Sequence, residues 1–492
     1  MKVLFIYFNK DFRPRIPITT SLLETIIKNN GHETKIFDTS FYIKISSDYE
    51  KYMSKSGVYK IVENLEIKTK TSDPYEDLRN VILNFNPNVI AFSHYSLNED
   101  LHRSLLIPIK SEFPKIKIIA GGPSVCISPE KILSEPYIDF VCFGEGEISF
   151  LEFCNRIECE ENINNISGIW CKDNGKIVRN GISPIINLND LPIQNWESFD
   201  KIHINGFFDG RAYRMGHVEF IRGCPYNCTY CGSGSIKKPY SDEGIRKYVR
   251  CKDPKKAIEE YKYLKNKYNL EMFYFVAGTF TAMPINILEE LSYLYKKEIN
   301  LPFFALVRPE TIKKQTAKLL GDMGCIHVSI GVESGVQQYR SEILNRKMTD
   351  EQIINSIKYL KDNNIKVGAY NMIGLPGMDR EHVFKTIELN RKAKPDKSIV
   401  SIFIPMDNEL TKSLINKNII KKEDIKILNG TEPSIDINDM SKSEIVGLYN
   451  TFNLYIKFPK YFYPLIRILE LENVITAGIR KILYKVIQWR NK

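Results

Sequence analysis

The chain has 492 residues, 43% hydrophobic and 26% charged, with a net charge of +10. That size supports two or three domains, and the composition is ordinary for a globular protein. The basic excess is spread along a Lys-, Ile- and Asn-rich chain, so it reads mainly as solvated surface, with a basic cleft for an anionic cofactor or an acidic lipid surface as the rival reading; no nucleic-acid partner is expected. No apolar run reaches the roughly 18 residues of a spanning helix, and MKVLFIYFNKDF meets charge too early for a signal peptide. A cytoplasmic location is expected, with the ten cysteines as reduced thiols or metal ligands.

In chain order, Lys2–Phe8 (KVLFIYF) is a buried-strand run. Residues 18–30 read as a helix stopped at Asn30–Gly31, and ETKIFD follows as a second strand. Residues 40–72 are polar and irregular, as in an insertion. A helix over 74–85 leads to the strand NVIAFSHYS, and a helix over 98–113 leads to the strands KIKIIAGG and IDFVCFGEGE. This alternation predicts a parallel, doubly wound α/β sheet over residues 1–155. Ligands of such sheets bind outside the carboxyl ends of the strands. Three turns stand there: Ser93–Ser96, Gly121–Gly122–Pro123 and Gly144–Glu147.

Residues 156–210 read as a linker holding one hairpin with an Asn174–Gly175 turn. Strands are expected at 217–221, 271–276, 302–306, 326–331, 366–373 and 398–404, with helices between them such as 253–268, 310–323 and 349–363. Six βα units predict a full or partial barrel over 211–429, with its chemistry at the carboxyl ends of its strands. Residues 430–492 are helical, basic and aromatic. They are expected to cap the barrel, with a membrane-surface contact or a lid over a hydrophobic substrate as the rival reading.

The stretch RGCPYNCTYCGSG places Cys224, Cys228 and Cys231 in one loop after the first barrel strand. A disulfide would leave one thiol over. A structural zinc site wants four ligands, and no fourth lies near, since His217 falls inside a strand. An iron–sulfur cluster on three cysteines, with one iron left open, fits this spacing better. Zinc remains the competing reading of the loop alone.

The loop, with its aromatic residue before the last cysteine, resembles that of the radical S-adenosylmethionine enzymes. The stretches LVRPETIKKQTAKLLGDMGCIHVSIGVESG and LNRKMTDEQIINSIKYLKDNNIKVGAYNMIGLPG resemble the barrel of that family. The resemblance implies a 4Fe-4S cluster on Cys224, Cys228 and Cys231, whose open iron binds S-adenosylmethionine and releases a 5'-deoxyadenosyl radical. It further implies S-adenosylmethionine contacts from Tyr230, Arg308, Glu333, Gly374 and Pro376. A flavodoxin-like sheet ahead of such a barrel resembles the cobalamin-binding group of the family. In that group Ser93, 28 residues before Gly121, would line the cobalamin site with Gly121, Gly122, Gly144 and Gly146.

The implied reaction is methylation of an unactivated carbon via methylcobalamin, on a small and hydrophobic molecule, with an external flavodoxin- or ferredoxin-type electron donor. Oxidative cyclisation or hydroxylation, ring rearrangement, and a non-catalytic cobalamin or iron–sulfur sensor are the alternatives. No catalytic acid or base is singled out. Three departures from the family pattern stand out. The cobalt-ligating Asp-x-His-x-x-Gly motif is absent, and His32 reads as structural. The second barrel strand ends in Val276–Ala277–Gly278 where relatives carry acidic residues. FIPMDNEL stands where many carry a Pro-Gly-Thr turn.

Overall fold

The structure is a computed structural model that describes residues 1–10, 14–42, 69–406, 408–421, 433 and 439–490, without the side chains of 488–490. Most of the insertion read over 40–72 and Asp407 of FIPMDNEL lie outside the described residues.

The first sheet holds β1 (Lys2–Tyr7), β2 (Glu33–Asp38), β3 (Val89–Ser93), β4 (Lys117–Gly121), β5 (Phe140–Cys142), β6 (Ile169–Asp173) and β7 (Lys176–Val178). Their order is β2-β1-β3-β4-β5-β6-β7, with β1 to β5 parallel. Alternate side chains of a strand leave by opposite faces. Val3 and Phe5 therefore pack with Ile27, Phe150 and Phe153 from the helices Ile18–Asn29 and Gly146–Glu158. Leu4 and Ile6 pack on the other face with Leu78, Ile82 and Leu105, from the helices Pro74–Phe85 and Glu99–Glu112. Burial on both faces explains why these strands read as unbroken apolar runs. The hairpin β6–β7 turns at Asn174 and Gly175, both at positive φ, and pairs antiparallel with β5. It thus extends the first sheet and is not free linker.

Next come β8 (Asn205–Phe208), β9 (Arg211–Val218), β10 (Ile221–Arg222), β11 (Arg250–Cys251), β12 (Met272–Phe275), β13 (Phe303–Val307), β14 (Cys325–Glu333), β15 (Lys366–Ile373) and β16 (Lys397–Ile402). The second sheet runs β16-β15-β14-β13-β12-β9-β8; all its neighbours are parallel except the β8–β9 pair. Six parallel strands with helices on one side form an open, partial (β/α)6 barrel. Strand β9 begins earlier than the expected 217, because its polar start, Arg211–Arg214, pairs with β8 in an exposed ribbon. Helix termini are capped as their sequences dictate. Asp253 accepts from the N–H groups of Lys255 and Lys256, and Thr349 forms a capping box with Gln352.

The tail is helical. Helix Lys442–Lys457 packs on β16 and on helix Arg380–Ala393 through Ile445, Leu448 and Phe452. The Arg391 guanidinium donates to the carbonyls of Tyr455, Ile456 and Phe458, satisfying its C-terminal turn.

Candidate functional site

Cys224 and Cys228 are buried, and Cys231 is half-buried. Strands β9 and β10 deliver the loop, and Gly223 reverses it at φ +89°, where a side chain would press on Tyr248. The loop is braced from across the barrel. Thr229 Oγ1 donates to the Ile343 carbonyl at 2.6 Å, Asn345 Nδ2 to the Asn227 carbonyl at 2.8 Å, and Asn408 Nδ2 to the Tyr230 carbonyl at 3.0 Å. The thiol of Cys231 caps helix Gly232–Asp242, accepting from the Ser233 N–H at 3.5 Å.

Two buried arginines face the loop. Arg308, which follows β13, donates from Nη1 to Cys228 Sγ at 2.8 Å and lies 3.7 Å over the Tyr226 ring. Arg346 Nη1 reaches Cys228 Sγ at 3.8 Å and the Tyr230 hydroxyl at 3.1 Å, while its Nη2 holds the Gly331 carbonyl at 2.6 Å. Burial opposes the Arg346 charge, but Tyr230, Glu333 and Cys228 outweigh it and hold its pKa above the usual value. Glu333 ends β14 at φ +67°, past a register shift in the β14–β15 ladder, and accepts from the Tyr230 hydroxyl at 2.9 Å. Burial pushes its carboxyl up, against the pull of Arg346. A carboxylate in the left-handed region, buried and tied to a tyrosine of the cysteine loop, is held in place by its surroundings.

The two guanidiniums place positive charge beside the Cys228 sulfur. Among the described residues no three His, Cys, Asp or Glu side chains are grouped to hold a metal ion, the three cysteines of the loop included. The donor set suits a cluster with an open iron. At the second barrel strand, a Cβ on Gly278 would come within 3.0 Å of the Cys224 Cβ. That crowding explains why a larger, acidic residue is absent at Gly278 itself. Gly374, at φ +70°, meets Ile402 and Ile445 of the tail packing, and the Pro376 carbonyl accepts from Tyr339 at 2.7 Å.

The carboxyl edge of the first sheet opens a cleft of about 270 Å³, lined by Phe5, Leu23, Ser93, Gly121, Gly144 and Tyr240 among others. Its glycines are of two kinds. Gly122, at φ +92°, has no room for a Cβ, which would collide with Ser93 Oγ; Gly144, at φ +109°, would strike the Tyr240 hydroxyl at 2.6 Å. The fold itself demands both. Gly121 and Gly146 have ordinary φ, and the nearest neighbours of an added Cβ would be at 3.7 and 3.5 Å. Nothing in the chain's own packing requires a glycine at these two, and both open onto the cleft. His94 points away from it, into the core against His102, their rings 4.6 Å apart. His32 is bonded to Asn155 at 2.9 Å, the structural role expected of it.

The cleft is locked to the cysteine loop by charge. Arg222, two residues before Cys224, pairs with Glu147 at 2.7 Å, Glu219 at 2.8 Å and Glu145 at 3.1 Å. Arg250 also holds Glu145, at 2.6 Å. The Glu145 N–H donates to the Tyr240 hydroxyl at 2.8 Å. The carboxylates hold the Arg222 pKa well above its usual value despite burial. A second, smaller gap is walled by Tyr95, Ser96 and Ser124 on one side and by Tyr230, Gly232 and Met406 on the other. Sequence reasoning missed Arg222, Glu145 and Arg346 as site residues. Arg222 and Arg346 stand inside stretches already singled out, but nothing local marks them as buried.

Comparison with known proteins finds two domain families in the chain. The radical SAM superfamily model matches residues 218–389, and the B12 binding domain model matches residues 51–153. An uncharacterized methyltransferase of Pyrococcus horikoshii is 25% identical over 83% of this chain and 87% of its own length. An anaerobic magnesium-protoporphyrin IX monomethyl ester cyclase of Rubrivivax gelatinosus is 24% identical over 80% of this chain and 69% of its own. Among solved structures, the cobalamin-dependent radical enzyme OxsB covers 100% of this chain and 71% of its own, at a TM-score of 0.68 and 13% identity. The radical methyltransferase TsrM of Kitasatospora setae covers 85% and 76%, at a TM-score of 0.65 and 15% identity. The chain thus joins a B12-binding domain to a radical SAM domain, the two families whose models match it.

Proposed function

We propose that this enzyme transfers a methyl group to an unactivated carbon of a small molecule, and that its working site is the gap between the first sheet and the cysteine loop. One observation carries the reading: Tyr95, Ser96 and Ser124 face Tyr230, Gly232 and Met406 across a single space. A cofactor seated on the sheet edge would there meet chemistry begun at the thiol loop. Together the bound cofactors supply hydrogen-atom abstraction and a transferable methyl group.

The chain's residues take these parts. Cys224, Cys228 and Cys231 hold the cluster, and Arg308 and Arg346 stabilise its thiolates. Tyr230 and Arg346 fix the Glu333 carboxylate toward S-adenosylmethionine, and Arg308, Gly374 and Pro376 complete that site. Ser93, Gly121, Gly122, Gly144 and Gly146 accept cobalamin. In this reading the first domain spans residues 1–155 and adds the hairpin 169–178, the barrel spans 211–429, and 430–492 cap it. An external electron donor of flavodoxin or ferredoxin type reduces the cluster in the cytoplasm. Relatives named as methyltransferases, such as the cytidylyl-2-hydroxyethylphosphonate enzyme of Streptomyces wedmorensis, at 22% identity, support methyl transfer.

The test is product analysis. Anaerobically reconstituted protein is given reductant, S-adenosylmethionine labelled in its methyl group, and a small-molecule extract. Label in a new product, formed along with 5'-deoxyadenosine, is expected. Turnover of an extract component without label would overturn methylation in favour of cyclisation or hydroxylation, and no 5'-deoxyadenosine at all would favour a sensor.

A further inference from the structure

The tail helix Val474–Arg490 is fixed to the body by one face only. Thr476, Arg480 and Tyr484 are buried. Tyr484 donates to the Asn450 carbonyl at 2.5 Å, and Arg480 pairs with Glu472 at 2.8 Å. The rotation of the helix is therefore set, and what it turns outward is a built surface. That outward stripe is Ile475, Ile479, Ile482 and Val486, spaced four, three and four residues apart, all exposed. Val474 and Ile475 are 89% and 75% exposed, and Leu465, Ile468 and Leu471 on the preceding turn continue the patch at about 60% each. Single exposed apolar residues are ordinary, but a continuous patch is not.

Charge beside the stripe is mainly basic, the exposed Glu472 at its start being paired with Arg480. From Val474 to Lys492 the sequence has Arg480, Lys481, Lys485, Arg490 and Lys492 and no acidic residue. Lys481 and Lys485 are exposed on the helix, and Lys460 and Arg467 on the turn before it. No described helix is long and apolar enough to cross a membrane. An apolar face about 16 Å long, flanked by lysines, has the form of a helix lying in the plane of a membrane interface. An anionic lipid surface complements both parts of this face, offering apolar depth to the stripe and negative headgroups to the lysines.

We propose that this face of the tail docks the enzyme on an anionic lipid bilayer. The inference is independent of the methyl-transfer reading, because binding is read without cofactor or substrate. The full chain is mixed with vesicles of phosphatidylcholine alone or with phosphatidylglycerol, and floated. Flotation is expected with the anionic vesicles and should fall about tenfold on neutral ones or in high salt. Ile475→Asp with Ile482→Asp should lose at least about tenfold, and Lys481→Glu with Lys485→Glu should lose the preference for anionic lipid. Neither pair touches the Tyr484 and Arg480 anchors, and unchanged melting confirms folding. Absence of flotation, or equal flotation of the aspartate pair, overturns the proposal. So does a wild-type dimer in size-exclusion chromatography that the aspartate pair converts to monomer, since a second copy would then be the occupant.

Discussion

The two walls of the site are made by opposite means. The barrel wall is built by addition: Arg308, Arg346, Tyr230 and Glu333 crowd the thiols with donors and charge, each tied to another. The sheet wall is built by subtraction: Gly121 and Gly146 add no side chain to the cleft, though the fold has room for one at each. The difference matches what each must hold. A compact anionic cluster calls for counter-charge fixed in place, whereas a bulky cofactor buried by shape calls for space. It also implies that substitutions at the first wall act through charge and ligation, and those at the second through volume.

The largest expected effect lies at the barrel wall. Replacing Cys224, Cys228 or Cys231 by Ala should remove bound iron and sulfide and abolish turnover. The sheet wall should still take up cobalamin, measured by its visible absorbance after gel filtration. Loss of both cofactors from a single cysteine variant would show that the walls are one cooperative unit.

Arg222 tests the joint between them. Its side chain is 17% exposed and faces three carboxylates. Arg222→Ala leaves Glu145, Glu147 and Glu219 partly buried without their shared partner, a change expected to cost about 3–5 kcal/mol. Chemical denaturation would read that loss, and Arg222→Lys should recover only part of it, because one ammonium cannot reproduce the guanidinium fork.

Acid should probe what lies behind the sheet wall. His94 and His102 are fully buried without hydrogen-bond partners, and burial pushes their pKa values down to about 4 and about 2. A base whose folded pKa lies below its unfolded value near 6.5 resists protonation only while folded. Its contribution is intact above pH 6.5 and is lost as pH falls toward the folded value. Going from pH 7 to pH 5 should thus cost about 2 kcal/mol for each of the two. His102→Phe, set beside Phe8 and Phe92, should remove one share of that slope. In the barrel, His217 and His327, pushed down to about 3 and about 4 by burial, add to the same acid loss. An unchanged slope in His102→Phe would show that this ring is solvated.

The two walls were also unequally legible in the sequence. Glycines after strands and cysteines in a tight loop are local signals, and the alternation of apolar strands with capped helices announces both sheets. What was not legible depends on long-range approach. Arg346 is 118 residues from the cysteine it faces, and Arg222 is 75 residues from Glu147. Nothing in the residues beside either one marks its side chain as buried. The start of β9 was hidden for a related reason: its polar residues pair with β8 in an exposed ribbon, where apolar periodicity fades. The roles of Gly122 and Gly144 could not be told from those of Gly121 and Gly146 without φ and neighbours.

That last distinction gives the smallest effect on stability and the sharpest test of the sheet wall. Gly122→Ala must adopt a positive φ and collide with Ser93 Oγ, so about 1–3 kcal/mol of stability should be lost whether or not a ligand binds. Gly121→Ala has ordinary φ and meets nothing closer than 3.7 Å. It should leave the fold unchanged, or steadier by about 0.4–1 kcal/mol through a less flexible unfolded chain. Yet its methyl group would enter the cleft. If the cleft is shaped for cobalamin, Gly121→Ala weakens cobalamin uptake with no loss of melting temperature. If uptake is unaffected while Gly122→Ala still unfolds early, the glycines of this edge serve the backbone alone, and the space beside them is not the cofactor's.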